Sequence, residues 1–92
     1  MIASEIEELE RHPEWRRVLT AYQAHADAVR KARPEFDGWL ERLDRIDGVK
    51  AERLSRVHGR LIALGFLKFQ LAGQNAGVRY QLSPSGREAL DA

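Results

Sequence analysis

Between residues 47 and 67 the chain reads DGVKAERLSRVHGRLIALGFL, and its apolar positions Leu54, Val57, Leu61 and Leu64 recur at steps of three, four and three. At about 100° per residue these steps fall on one side of a helix, so a helix is predicted from about Lys50 to Leu64 with that side against a core. The opposite side carries Glu52, Ser55, Arg56 and Gly59, flanked by Arg53 and Arg60. Gly65 follows the last apolar position, where a left-handed residue ends a helix at little steric cost. Glycine in an exposed helix interior costs roughly 1 kcal/mol relative to alanine. Gly59 therefore points to close approach of another surface, along a ridge of small side chains formed by Ala51, Ser55 and Gly59.

Upstream, Ser4 and Glu7 have the spacing of a capping box, and Ile2, Ile6 and Leu9 mark the apolar stripe of a short helix. Pro13 suits the first position of a second helix, so a break is expected at His12–Pro13. From Glu14 to Ala32 the positions Trp15, Val18, Leu19, Tyr22, Ala26 and Val29 keep the helical period, and Arg30, Lys31 and Arg33 suit the negative end of the helix dipole before Pro34. Asp37 is read as the N-cap of a third helix with Leu40, Leu43 and Ile46 facing the core, ending near Asp47–Gly48. The connection to the next helix is then only about three residues, the spacing of a helix-turn-helix unit.

After Gly65 the pattern changes to alternation over 66–71 and again over 78–82, which predicts two antiparallel strands. The segment 72–77, AGQNAG, reads as a projecting hairpin tip. Ser83-Pro84-Ser85-Gly86 leads into a short helix from Arg87 to Asp91. The predicted fold is mainly α with a small β-hairpin.

The 92 residues suffice for one domain with one modest core, and 43% hydrophobic with 32% charged residues excludes wholesale disorder. No apolar run approaches the ~20 residues of a membrane span. The acidic start MIASEIEELE differs from a secretory signal, and a cytoplasmic location is expected. The absence of cysteine removes disulfides, thiolate metal sites and thiol chemistry. Charge divides unevenly: residues 1–47 hold 8 Lys/Arg against 11 Asp/Glu, and residues 48–92 hold 7 against 3. The basic half is the one that contains the helix just described, as binding to a polyanion requires.

No catalytic constellation emerges. Serines 4, 55, 83 and 85 lack a positioned histidine in sequence, there is no glycine-rich phosphate loop, and His12 and His25 have no recognised ligand spacing. His58, beside the core stripe, reads as a hydrogen-bonded boundary histidine rather than a ligand. Trp15, Tyr22 and Trp39 read as core or interface residues. The chain is read as non-enzymatic, with no metal and no cofactor.

Two pieces carry a resemblance. One runs from Arg56–Val57 through Leu61–Ile62–Ala63–Leu64–Gly65–Phe66–Leu67, and the other from Val78 to Leu90. In that order and spacing, residues 36–92 resemble the winged helix-turn-helix domains of MarR-type and PadR-type bacterial transcription regulators. The resemblance implies a winged helix-turn-helix over 34–92, preceded by N-terminal helices over 1–33 that belong to the same domain. It implies sequence-specific binding of double-stranded DNA and a role in transcription regulation. Lys50 to Arg60 would lie in the major groove, with Glu52, Arg53, Ser55 and Arg56 at bases or nearby phosphates. Arg56 is the first choice for a guanine, because a guanidinium can meet O6 and N7 together. Lys50 and Arg60 would meet the backbone, and Arg79 would serve the wing; the tip Gly73-Gln74-Asn75 departs from the more basic tips common in these families. The resemblance further implies a homodimer, with the helix 14–32 as its interface. Two other readings remain open: Arg53 and Arg60 can pair with acidic groups such as Glu41 or Asp44, and winged helices also serve as protein-interaction modules, here through the Ala51/Ser55/Gly59 ridge.

Overall fold

The computed structural model describes residues 3–71 and 77–91. The stripe position Ile2 and the hairpin tip 72–76 lie outside the described residues.

Two helices open the chain, α1 (Ala3–Arg11) and α2 (Pro13–Ala32). Ser4 lies within the first turn of α1 rather than ahead of it. The break falls where the sequence places it: Pro13 occupies the first turn of α2, and the carbonyl of His12, whose backbone is non-helical, accepts the first bond, from Trp15 N–H at 2.9 Å. The His12 ring stacks on the Trp15 indole at a centroid distance of 3.9 Å. The apolar stripe of α2 buries Trp15, Val18, Leu19 and Tyr22, with Leu9 of α1 fully covered beside them.

The expected third helix is absent. Residues 33–50 instead form extended chain and turns that contain a two-residue strand, β1 (Leu40–Glu41). Asp37 does not cap a helix; its carboxylate accepts the N–H of Trp39 at 3.0 Å, two residues on, which closes an Asx turn. Gly38 then has φ +92°, a conformation that side chains rarely adopt, and a Cβ there would run into the amide of Gln81. The backbone N–H of Leu43 is taken by the Tyr22 hydroxyl at 3.0 Å, so it is not available to a helix. Leu40, Leu43 and Ile46 still bury or half-bury their side chains, as their spacing implied, but as separate anchors of an irregular segment. A tight turn pairs Ile46 with Val49 and leads into the next helix.

That helix, α3 (Ala51–Ala63), matches the predicted span to within a residue at each end and buries Leu54, Val57, His58 and Leu61. Gly65, at φ +80°, ends it as expected. Its N–H reaches the carbonyl of Ile62 at 3.0 Å and the N–H of Phe66 reaches that of Leu61 at 2.9 Å. This is the bonding of a Schellman motif, and its accompanying apolar contact is supplied by fully buried Phe66 and Leu61.

Strands β2 (Leu67–Leu71) and β3 (Val78–Leu82) follow as an antiparallel pair, and β1 joins the free side of β3, giving the order β1-β3-β2. The register sets Leu40 opposite Tyr80 and Tyr80 opposite Phe69 on the core side. A final helix, α4 (Pro84–Asp91), begins three residues before the predicted start. Ser83 explains the difference: its hydroxyl accepts the N–H of Gly86 at 3.0 Å and donates to the carbonyl of Gly65 at 2.6 Å. One serine thus caps α4 and ties it to the end of α3. The described residues share one core, drawn from all four helices and the three strands. No described helix is long and apolar enough to cross a membrane.

Candidate nucleic-acid interface

The helical period that buries Leu54, Val57 and Leu61 turns the other side of α3 outward. Lys50, Glu52, Arg53, Ser55, Arg56, Gly59 and Arg60 are all exposed. A Cβ built on Gly59 would have nothing within 4 Å, so this side of the helix faces open space.

The arginines are not equivalent. Arg53 is held by Glu14 at the start of α2: its Nε–H lies 2.8 and 3.0 Å from the two carboxylate oxygens, and a terminal N–H reaches one of them as well. This hydrogen bonding, with the added charge attraction, lowers the pKa of Glu14 and raises that of Arg53. The acidic partner comes from α2, not from Glu41 or Asp44. Arg56 and Arg60 have no ion pair among the described residues. With Arg53 they form one wall of a groove of about 350 Å³ whose other side is Glu8, His12 and Trp15.

Ser55 takes a hydrogen bond from Arg42 at 3.1 Å, and Arg42 also reaches Asp44 at 3.2 Å. Arg42, which the sequence did not single out, therefore stands over the first half of α3 and links it to the segment before it. Arg79 lies elsewhere. On β3 it opposes Glu41 and Gln70, on the sheet face away from Tyr80, and it lines a recess of about 210 Å³ with Arg33, Phe36 and Trp39. None of the residues around that recess belongs to α3. The structure brings Glu52, Arg53, Ser55, Arg56 and Arg60 together on the exposed side of α3, with Lys50 just ahead of its first turn, and leaves Arg79 apart from them.

His58 holds α3 in place from beneath. Its Nδ1 lies 2.7 Å from the Leu54 carbonyl, which can only accept, so Nδ1 carries the proton. Nε2 is then the acceptor for the Tyr22 hydroxyl at 2.8 Å, and that hydroxyl in turn accepts the N–H of Leu43. Each polar group in this buried chain has its partner. Burial lowers the pKa of His58, against the opposing effect of its bond to Leu54, and raises that of Tyr22 to about 12. Both rings are neutral near pH 7. His58 is hydrogen-bonded, as its boundary position implied, and its partner Tyr22 lies 36 positions away in the chain.

Among the described residues no group of three or more histidine or carboxylate side chains gathers as a metal site.

No family model, curated protein or solved structure matches the chain.

Proposed function

We propose that this protein binds double-stranded DNA in a sequence-specific way and acts as a transcription regulator of winged-helix type. In this reading α3 lies in the major groove with the β2–β3 hairpin beside it. The observation that carries the reading is the outward side of α3, where Arg56 and Arg60 stand without ion partners among the described residues, next to a glycine that faces open space. An α-helix fits the major groove, and two cations on a helix with a small-residue ridge can reach phosphates and base edges together. The order of α2, β1, α3 and the β2–β3 hairpin supports the winged-helix part of the reading, although the segment before α3 is extended rather than helical.

Contacts divide by what already occupies each side chain. Arg56 reads a base, with guanine the natural partner of a guanidinium fork. Arg60 and Lys50 meet phosphates, and Glu52 and Ser55 stand beside them. Arg53 contributes less, since Glu14 competes with any phosphate for its guanidinium.

The test is fluorescence anisotropy of a labelled duplex selected from a random pool. Arg56→Ala is expected to cost about 1–3 kcal/mol of binding and to relax preference at one base position. Arg60→Ala should weaken all duplexes alike. Equal affinity of both variants and the parent protein for the selected duplex would remove α3 as the reading element.

A further inference from the structure

The exposed side of the sheet's β2 edge is unlike the rest of the surface. Among the described residues the only large apolar side chains left exposed are Phe69 and Leu71, at 52% and 77% exposure, and both lie on this strand. In the order β1-β3-β2, strand β2 has β3 on one side and no described strand on the other. An edge strand with open N–H and C=O groups and bulky apolar side chains is a template for a further strand.

We infer that this edge pairs with the same edge of a second copy of the chain. The sequence of β2, LKFQL, is self-complementary in one antiparallel register. Centred on Phe69, that register sets Phe69 against Phe69, Leu67 against Leu71 and Lys68 against Gln70. Apolar meets apolar, and the single charge meets an amide. A register centred on Lys68 would oppose two ammonium groups, which is unfavourable.

The pairing also continues a pattern already inside the molecule. Leu40, Tyr80 and Phe69 form a row across the three strands on the core side of the sheet. Two copies joined at Phe69 extend it to six strands with a pair of aromatic rings at the two-fold axis, the cross-strand pair that stabilises a ladder most directly. On the other face, Glu41, Arg79 and Gln70 would be followed by Lys68 and Gln81 of the second copy, with no like charges adjacent. The helix α2, the interface expected from the sequence, exposes only small or polar groups such as Thr20, Ala24 and Ala28 on its outer side. The inference is independent of DNA binding.

Absence of cysteine makes the test clean. Sedimentation of the whole chain across micromolar to millimolar concentrations should show a monomer–dimer equilibrium. Phe69→Lys sets two like charges opposite each other and should weaken association about tenfold or more, while Ala24→Glu on α2 leaves it unchanged. Because Phe69 is half exposed, circular dichroism of Phe69→Lys should match that of the parent chain. Register is read by Phe69→Cys, which should crosslink to itself under mild oxidation, whereas two Leu71→Cys thiols lie about 13 Å apart and should not. A monomer at every concentration, or a dimer indifferent to Phe69→Lys, would overturn the pairing. Equal crosslinking at 69 and 71 would overturn the register.

Discussion

The Tyr22 hydroxyl lies 2.8 Å from Nε2 of His58, joining the longest helix of the chain to the helix proposed to meet DNA. Through the same oxygen Tyr22 holds the backbone of Leu43, so one side chain fixes α2, α3 and the segment between them. The position of the α3 surface depends on this link.

Replacing Tyr22 with phenylalanine keeps the ring and removes the oxygen. His58 Nε2 and the Leu43 N–H then lose their partners in a covered site, where an unsatisfied polar group costs about 1–3 kcal/mol. Urea denaturation of Tyr22→Phe should show a loss of about that size with an unchanged m value. A change below about 0.5 kcal/mol would mean that the bond adds nothing beyond packing.

Acid should weaken the fold in the range where histidine titrates. Burial depresses the folded-state pKa of His58 below its ordinary value of 6.5, so the unfolded chain takes up a proton first as pH falls. The stability this group supplies is complete above about pH 6.5 and is lost progressively below it. Glu14, also lowered, adds a further loss below about pH 4.5, where the unfolded carboxyl protonates. Tyr22 acts at the other end: with its folded pKa raised to about 12, its contribution fades as pH rises above 10. Melting temperatures from pH 5 to 7 should therefore climb and level off, and the climb should flatten in His58→Gln.

Glu14 holds Arg53, and in the proposed complex it competes with phosphate for that guanidinium. Glu14→Gln removes the charge that holds Arg53 and releases a third arginine on the α3 face. Affinity for a mixed-sequence duplex should rise, and the salt dependence should steepen by about one unit of slope. Weaker binding in this variant would indicate that Glu14 positions Arg53 for contact rather than withholding it.

Gly59 separates folding from binding. Its helical backbone and open surroundings accept a methyl group, so Gly59→Ala should stabilise the protein by about 0.5–1 kcal/mol. If α3 packs closely in the groove, the same methyl should weaken DNA binding. Gains in both stability and affinity would argue against close approach at this position.

The helices with a long apolar period were legible in the sequence, because repetition over several turns admits few other structures: α2 and α3 end within one or two residues of their predicted limits. Gly65 was legible for a local reason, its place just past the last apolar position. The segment 37–47 misled because Leu40, Leu43 and Ile46 have helical spacing but only three members. Asp37, Gly38 and the pull of β3 on Leu40 decided the local structure instead. Of the α3 face, the sequence identified the exposed residues but not their electrostatic rank. Glu14 lies 39 positions from Arg53, and nothing local to α3 marks it as the partner. The resemblance assigns Arg79 to the wing; the sheet register places it on the face away from the core, in a recess that no α3 residue lines.

The most direct test of the central claim is the salt dependence of duplex binding by the parent protein and by an Arg56→Ala/Arg60→Ala variant. Phosphate contacts from Lys50 and Arg60 predict a slope of log affinity against log salt of about −2, falling to about −1 in the variant, and loss of the Arg56 base contact lowers affinity in the variant further. Absence of measurable binding at low salt, or the same slope in both proteins, would contradict α3 as a DNA-binding surface.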